Sequence, residues 1–471
     1  MLHPFSSEVA ACASMVLFVL AYGVFYFLNS VGARHLNAAD VLVLICSCIF
    51  ACRMAAKGKM CQWPSGVDFT GRVALVVGAT SGVGYSTAMQ LAEHGWIVVL
   101  AARNTDRLLC AKKSIERHLQ KHNAKGSVKV LGTVDLRSDA SIRAYVKELA
   151  AVKAQLPVGL LIMAAGVLHR HLHFLGEVKE LSTGSASVAA SSMAWRSMEC
   201  MIATNAVGPY LFTQLMLPLL DETAEKTSVT SRIVNVASSC HTFLGLGRQA
   251  RYNPLEMIRG LDERAAEVLP GGGCGEAKGG EATCGPYYIR DYSWWNFVGY
   301  YGLSKLCVMW NTRLLARQVS TMRFIQKTVA KAPVLSKPDA KYAAADSAQN
   351  VTTAPESDRQ DHLKIFVACT HPGVITTYLY RDIFAPWMLD CFFYYPSLVF
   401  GKTWFESAQS TLKAAVEDTG MVQGGYYLCG GEYGPESGVN CVSAHAQSPK
   451  NIEEYQKWMM TRITPALKVE G

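Results

Sequence analysis

The feature that most constrains the fold is a regular alternation of short apolar runs with helix-like segments between residues 72 and 370. Short apolar runs bounded by glycine or polar residues are typical of strands buried on both faces. We predict strands at 73–77, 96–102, 127–134, 160–165, 232–237 and 365–370, with helices at 83–94, 106–121, 138–149, 198–220 and 299–318. This order predicts an α/β fold with right-handed crossovers and a doubly wound parallel sheet covered by helices on both faces.

Three segments interrupt the alternation: residues 178–193, 247–296 and 321–362. They are rich in Ser, Ala, Gly, Pro or polar residues, and loops of this length inside a domain are uncommon. We interpret them as long insertions in one catalytic domain spanning residues 68–445. Residues 446–471 are expected to form a C-terminal tail.

The amino terminus carries an apolar run, Ala10–Leu28, with no charged residue, long enough as a helix to cross the hydrocarbon layer. A second run, Val41–Cys52, is short for a span alone and could complete a hairpin or lie at the interface. Arg53, Lys57 and Lys59 follow it and place the rest of the chain on the cytosolic side. We therefore expect a membrane anchor over residues 1–60, with a cleaved signal peptide as the alternative.

The formal net charge of +8 on 471 residues is a mild excess, and no dense Lys/Arg run is present. This composition favours contact with an anionic membrane surface and argues against a nucleic-acid partner.

A glycine cluster follows the first predicted strand, with Gly78, Gly82 and Gly84 spaced around Ser81 and Val83. Glycines allow a sharp turn and close approach of the backbone to a pyrophosphate, and the next helix offers free N–H groups to that anion. Between a strand and a helix, this turn predicts a Rossmann-type dinucleotide site.

The residue at the end of the second strand suggests which dinucleotide binds. Arg103-Asn104 stands where NAD-selective folds use an acidic residue on the ribose, and a cation suits a 2′-phosphate. Arg103 therefore favours NADP(H), with Arg107 or Ser81 as helpers. Asp135, after the third strand, is placed to meet the adenine amino group.

Tyr301 and Lys305 are four residues apart and so share one face of a predicted helix. A nearby ammonium favours the phenolate of a tyrosine that exchanges protons with substrate. Two hydroxyls, Ser238 and Ser239, follow the fifth strand, and one of them could hydrogen-bond the reacting oxygen. Asn205, in the preceding helix, could hold a water that links Lys305 to solvent.

The ordered set resembles the short-chain dehydrogenase/reductase family over residues 72 to about 440. Gly78, Gly82 and Gly84 match its glycine turn, and Asn205, Ser238, Tyr301 and Lys305 match its catalytic residues. His371-Pro372-Gly373-Val374 with Thr377 matches the loop that closes over the nicotinamide. Ser-Arg-Ile-Val-Asn-Val and His-Pro-Gly-Val are similar to the retinol-dehydrogenase-like branch, many members of which have an amino-terminal anchor.

The resemblance implies a set of cofactor contacts and a location. The implied contacts are Gly78, Ser81, Gly82, Val83, Gly84, Arg103, Asn104, Asp135, Leu136, Ala165, Gly166, Asn205, Tyr301, Lys305, Pro372, Gly373, Val374 and Thr377. It further implies attachment to the endoplasmic reticulum or another organelle membrane, with the catalytic domain facing the cytosol. A homodimer is left open.

The sequence departs from the family pattern in three places. Val77 replaces the usual threonine before the first glycine, and Met163-Ala164-Ala165-Gly166 lacks two asparagines of the family. Ser238 and Tyr301 are 63 residues apart, much farther than usual. The segment between them must return Tyr301 to the site.

The sequence predicts an NADP(H)-dependent enzyme that interconverts a carbonyl and an alcohol on a lipophilic retinoid, steroid or fatty substrate. Aromatic residues after the His-Pro-Gly loop indicate an apolar substrate pocket: Tyr378, Tyr380, Phe384, Trp387, Phe392, Phe393, Tyr394, Tyr395 and Phe400. A reductase of sphingoid or acyl ketones and a non-catalytic nucleotide-binding membrane scaffold are the alternatives. We interpret His169, His171 and His173 as a solvated loop and expect no metal site.

Overall fold

The computed structural model describes residues 38–175, 193–245, 253–268, 296–331, 364–375, 377–383, 401–417, 422–427 and 442–468, with short pieces at 22–23, 26–27, 30 and 388. Predictions for Ala10–Leu28 therefore lie largely outside the described residues. The same holds for the insertion at 178–193 except Met193, for most of 247–296, for residues 332–362 and for the aromatic residues beyond Ile383.

The centre of the fold is a seven-stranded sheet in which every pairing is parallel. Its strands are β1 Val73–Val77, β2 Ile97–Ala101, β3 Ser127–Lys129, β4 Val158–Met163, β5 Ser231–Val236, β6 Ile365–Thr370 and β7 Tyr426–Tyr427. The order β3-β2-β1-β4-β5-β6-β7 reverses direction between β1 and β4. In open sheets of this kind, ligands bind at that reversal, beyond the carboxyl ends of the strands.

Nine helices of eight or more residues are described. They are α1 Ala38–Lys57, α2 Gly82–Glu93, α3 Thr105–Lys121, α4 Asp139–Ala151, α5 Gly208–Thr227, α6 Pro254–Val268, α7 Asn296–Lys331, α8 Gln409–Val416 and α9 Pro449–Lys468. Short helices lie at Met193–Arg196, Cys200–Ile202, Trp404–Ser407 and Ala444–Gln447, and a π-helix at Ala203–Val207 leads directly into α5.

Two apolar cores, one on each face of the sheet, hold the layers together. One face packs against α2, α3 and α8 through residues such as Leu91, Ile115 and Leu412. The other packs against α4, α5, α7 and α9. The doubly wound parallel architecture predicted from the alternation is confirmed, with the six predicted strands present and their bounds shifted by a few residues.

The C-terminal segment differs from the prediction of a tail. Residues 449–468 form α9, whose Ile452, Tyr455 and Ile463 are fully buried. The Tyr455 hydroxyl donates to Oδ1 of Asn311 on α7 at 3.0 Å, and its ring lies 4.9 Å from that of Trp310. The helix is therefore part of the folded domain, because its apolar side chains pack against α7 in the same hydrophobic core.

The second apolar run lies within α1, which leaves six large apolar side chains exposed: Leu42, Val43, Ile45, Ile49, Phe50 and Met54. Its carboxyl-terminal end is tied to the body of the protein, since Arg53 forms a 2.5 Å ion pair with the buried Glu406. Lys402 also donates to the carbonyl of Lys57. Among the helices that the structure describes, none combines the length and hydrophobicity needed to cross a bilayer.

Candidate active site

The glycine turn after β1 forms a tight backbone cradle at the start of α2. Gly78 and Gly82 have φ values of +93° and +57°, which side chains rarely tolerate. A Cβ on Gly84 would lie 2.3 Å from the carbonyl oxygen of Gly78. Ser81 does not cap the helix with its side chain, so the first N–H groups of α2 stay available to an anion. These features fit a pyrophosphate.

A cleft of about 260 Å³ opens at the carboxyl edge of the sheet beside this turn. The ends of β1 and β5, the segments that follow β2 and β4, α7 and the His-Pro-Gly loop line it, because the carboxyl ends of parallel strands meet at one edge. The glycine turn, the groove and the polar residues at the two ends of the cleft therefore lie together, as a nucleotide site requires.

The adenosine end of the cleft is rich in guanidinium groups. Arg103, Arg107 and Arg381 line it. The pKa of Arg103 is lowered, first by burial and then by the positive charge of Arg137, with Arg381 and Arg107 adding smaller effects. Arg137 is already paired with Asp135 through two parallel hydrogen bonds of 3.0 and 2.7 Å. Asp135 lies where predicted, but its carboxylate is shared with Arg137.

Ser238, Tyr301 and Lys305 meet at the opposite end of the cleft. The Tyr301 side chain hydrogen-bonds with that of Ser238. Nζ of Lys305 lies 5.7 Å from the centre of the Tyr301 ring and donates to the carbonyl of Val236 at 2.9 Å. The 63-residue separation in sequence thus closes to hydrogen-bonding distance.

Burial sets the protonation of this group. Burial raises the pKa of Tyr301 well above its ordinary value, and the hydrogen bond from Ser238 opposes this. Burial also lowers the pKa of Lys305 to about 8, and the thiol of Cys240 opposes that change. At neutral pH the tyrosine is therefore a proton donor and the lysine carries a charge.

Asn205 lies behind the cleft, in the π-helix before α5. Its Oδ1 accepts the N–H of Val167 at 2.8 Å, and its Nδ2 donates to the carbonyl of Val167 and to Oγ of Ser304, both at 2.9 Å. Asn205 thereby fixes the loop after β4, which lacks the two asparagines of the family pattern. It also joins that loop to the helix that carries Tyr301.

A short 3₁₀ helix, Tyr378–Asp382, covers the cleft beyond the His-Pro-Gly loop. Thr377 caps this helix with its side chain. A Cβ placed on Gly82 would lie only 2.9 Å from the methyl group of Thr377. The helix is therefore seated against the glycine turn. Leu379, Tyr380 and Arg381 from this helix line the cleft.

Most of the predicted site residues line the cleft. They are Gly78, Ser81, Gly82, Val83, Arg103, Asn104, Asp135, Leu136, Ala165, Gly166, Ser238, Tyr301, Lys305, Pro372, Gly373 and Thr377. Gly84 and Asn205 do not line the cleft. Gly84 packs against the carbonyl of Gly78 in the glycine turn, and Asn205 holds the loop after β4. Val374 does not line the cleft; its side chain is exposed and its carbonyl accepts the N–H of Lys402 at 2.8 Å.

Two further lining residues, Cys240 and Arg381, were not singled out from the sequence. Cys240 lies two residues beyond Ser238, and this position after the strand end is the signal that could have identified it. Tyr380 was noted as one aromatic residue among many. Its position in the cleft depends on how the 3₁₀ helix folds back, which no local pattern encodes.

The sequence matches a model of the short chain dehydrogenase family over residues 72–253. This segment of the chain is therefore similar to the short-chain dehydrogenase/reductase family. The matched region includes the glycine turn, Asn205 and Ser238 but ends before α7. The placement of Tyr301 and Lys305, which lie outside the matched region, rests on the geometry above.

Several curated members of this family are similar to the chain. Retinol dehydrogenase 11 of Mus musculus is 32% identical over 178 residues, covering 38% of this chain and 46% of its own. Short-chain dehydrogenase TIC 32 B of Brassica napus is 30% identical over 178 residues, covering 38% and 47%. The chain spans about half the length of the curated relatives it matches. The predicted resemblance to retinol dehydrogenases is confirmed.

Among solved structures, an uncharacterized protein from Mycobacterium paratuberculosis aligns with 86% of this chain and 98% of its own, at 19% identity and a TM-score of 0.47.

Proposed function

We propose that this short-chain dehydrogenase interconverts a carbonyl and an alcohol on a lipophilic substrate, with NADP(H) as cofactor and Tyr301 as the acid/base. The observation that carries the proposal is the contact of Tyr301 with Ser238 beside buried Lys305, at the edge of the sheet that bears the glycine turn.

The proposed proton transfer follows from this arrangement. The Tyr301 hydroxyl donates its proton to the carbonyl oxygen of the substrate, while the Ser238 hydroxyl orients and polarises that oxygen. The charged Lys305 stabilises the phenolate that remains, since burial strengthens the attraction between them. In this direction the hydride for the carbonyl carbon would come from a reduced nicotinamide held in the cleft, and alcohol oxidation would be the reverse.

Three guanidinium groups that line the adenosine end support NADP(H) as the cofactor: Arg103, Arg107 and Arg381. Their combined charge favours an additional phosphate on the ribose, and Arg103 is the residue proposed to hold it. Ser81 lines the same cleft and is proposed to help.

Apolar and aromatic side chains near Tyr301 support a lipophilic substrate. Val167, Ile375, Leu379 and Tyr380 surround that end of the cleft. Burial raises the pKa of Tyr380 to about 12, so its hydroxyl stays neutral and can face an uncharged ligand. We propose a retinoid, steroid or fatty aldehyde or ketone.

Attachment to an organelle membrane is part of the proposal, with the catalytic domain of residues 68–468 facing the cytosol. The uncharged run Ala10–Leu28 and the exposed apolar side chains of α1 support it. Carbonate extraction of isolated endoplasmic reticulum and, in a separate sample, protease digestion of untreated sealed vesicles test the two points. Release by carbonate or protection of the catalytic domain from protease would contradict them.

The activity is tested with purified full-length wild-type and Tyr301→Phe proteins, by following NADPH and NADH oxidation with retinal, a long-chain aldehyde and a short soluble aldehyde. Loss of acid/base catalysis should lower kcat by about 10²–10⁴-fold while cofactor binding persists. Unchanged turnover in Tyr301→Phe would refute the role of the tyrosine. Cofactor binding without turnover by the wild type on any carbonyl would favour a scaffold, and faster turnover of the soluble aldehyde would contradict a lipophilic substrate.

A further inference from the structure

A second cavity lies at the edge of the sheet opposite the catalytic cleft. Its volume is about 650 Å³, against about 260 Å³ for the cleft. It is lined by the start of β1, the residue before β2, the starts of β4 and β5, and the loop after α5. These are the amino ends of the strands, so a five-residue strand, roughly 17 Å, separates the two sites.

The walls of this amino-edge cavity are partly aromatic. Phe69 and Trp96 stack with ring centres 5.6 Å apart and an interplanar angle of 22°, and Phe366 lies on the neighbouring wall. Val67 and Val229 stand partly exposed at the rim. Such walls suit a flat apolar body, since aromatic faces stack and apolar burial contributes roughly 25 cal/mol per Å².

Both charged residues that line the cavity are positive. Arg72 and Arg232 line it, and among the 19 described lining residues none is Asp or Glu. Asp68, the neighbouring acid in sequence, accepts the N–H of Thr70 and does not line the cavity. Two guanidinium groups without a lining carboxylate favour an anionic group on the ligand.

Arg72 and Arg232 differ in the contacts that they make in the cavity wall. Arg232 donates to the carbonyls of Ala414 and Glu417, at 3.2 and 2.7 Å, and so ties β5 to the end of α8. Arg72 lies over the ring of Phe69, with Cζ 4.9 Å from its centre. Arg72 is therefore the residue placed to meet the anion, while Arg232 mainly holds the wall.

A buried donor adds a further argument. The indole Nε1 of Trp96 is buried and has no hydrogen-bond partner among the described residues. An unsatisfied buried N–H costs about 1–3 kcal/mol, so the wall at Trp96 is polar enough to gain from a nearby acceptor. Hydroxyl groups of Thr70, Ser228 and Thr230 provide additional polar lining.

We propose that this amino-edge cavity is a second binding site for an amphipathic organic anion, with an aromatic or apolar body and one carboxylate or sulfonate. The body lies against Phe69, Trp96 and Phe366, and the acidic group meets Arg72. The site is separate from the hydride-transfer cleft, so its occupancy does not depend on the cofactor.

Equilibrium dialysis of the full-length protein with 2-naphthoate, and with neutral 2-naphthamide as its counterpart, tests the proposal both without NADPH and with saturating NADPH. We expect saturable binding of naphthoate at one site and at least tenfold weaker binding of naphthamide. Displacement of naphthoate by NADPH, or equal binding of the two probes, would overturn the proposal.

Variants locate the site. Gly159→Leu places a side chain in the cavity, where a Cβ meets the methyl group of Thr223 at 3.6 Å, an ordinary contact. Val229→Trp fills the exposed rim instead and keeps the test valid if the first variant fails to fold. Each folded variant should weaken naphthoate binding at least tenfold.

Arg72→Gln removes the proposed charge contact and should weaken naphthoate binding about tenfold while leaving naphthamide unchanged. Arg117→Gln, on the exposed face of α3, is the matched control and should bind like the wild type. If Gly159→Leu, Val229→Trp and Arg72→Gln all bind naphthoate with wild-type affinity, naphthoate binds elsewhere and the proposed site is refuted.

Discussion

Nδ1 of His169 lies 2.7 Å from Oδ2 of Asp382, and this contact joins the two rims of the catalytic cleft. His169 follows Val167, which lines one wall, and Asp382 follows Arg381, which lines the other. This contact holds the 3₁₀ helix Tyr378–Asp382 over the site. The hydrogen bond from His169 lowers the pKa of Asp382, so its carboxylate is charged at neutral pH.

Asp382→Asn should weaken the contact between His169 and Asp382, which we call the latch. A partly exposed pair contributes up to about 1 kcal/mol, so KM for cofactor and substrate should rise about fivefold, while kcat stays equal or increases with faster opening. Steady-state kinetics measures both constants. Asp382→Glu keeps the charge and should recover most of the wild-type KM; an unchanged KM in Asp382→Asn would mean that the latch does not restrain the helix.

The charge of Lys305 should set the alkaline limit of activity. Burial lowers its pKa to about 8, so the ammonium is present below this pH and is lost above it. Without that charge the Tyr301 phenolate is less stable, and carbonyl reduction should decline as the pH rises through 8.

The pH profile of Lys305→Arg tests this origin. A guanidinium stays charged throughout the range, so the alkaline decline should shift upward by more than one pH unit, even if the rate at pH 7 falls about tenfold. An alkaline decline at the same pH in both proteins would assign it to another group.

Arg103 should determine the choice between the two nicotinamide cofactors. Arg103→Ala is expected to reduce kcat/KM for NADPH about 10–100-fold and to leave that for NADH nearly unchanged, because a charge-assisted contact to a phosphate contributes about 1.5–3 kcal/mol. Parallel kinetics with both cofactors measures the ratio. Arg117→Ala, away from the cleft, is the control, and an equal loss with NADH would point to a structural role for Arg103.

Gly84 should be intolerant of a side chain. Its Cβ would lie 2.3 Å from the carbonyl oxygen of Gly78, so Gly84→Ala must displace the cofactor turn. We expect at least tenfold weaker cofactor binding by calorimetry. Gly260→Ala on α6 is the matched control, since nothing lies within 4 Å of the added Cβ, and it should be neutral or stabilising.

The stability of the protein should fall in acid because of His241. Its Nδ1 lies 2.6 Å from the carbonyl oxygen of Ser238, and its Nε2 accepts the N–H of Ser443 at 3.4 Å, so the ring is neutral. Burial lowers its pKa from 6.5 to about 4. Between these values the unfolded chain binds a proton that the folded protein does not, and the free energy of unfolding decreases as the pH falls.

Urea unfolding from pH 7 to 4.5 measures this effect. Wild type should lose ~2–3 kcal/mol through His241, and His241→Asn should lose less. Glu199→Gln is the control of opposite sign: burial raises the pKa of Glu199 from 4.5 to about 7, so acid stabilises the fold through that residue. Glu199→Gln should therefore lose more unfolding free energy between pH 7 and 4.5 than the wild type does. An equal loss in the wild type, His241→Asn and Glu199→Gln would contradict both assignments.

The sequence predicted the sheet because a strand buried on both faces must be a short apolar run, as Leu160–Met163 and Ile365–Thr370 are. It also predicted the site, since residues at strand ends meet at one edge whatever the length of the intervening loops. The strand Tyr426–Tyr427 was missed because two residues form no pattern. The latch was missed because His169 and Asp382 are distant in sequence.

The packing of α9 on α7 also bears on synthesis of the chain. Tyr455 follows Asn311 by 144 residues, so at about 5–20 residues per second the ribosome needs roughly 7–30 s to deliver the partner of α7. During that interval the helix with Tyr301 and Lys305 has one apolar face without its covering helix. Chaperones should therefore engage the nascent chain at this stage, before the enzyme can bind its substrate.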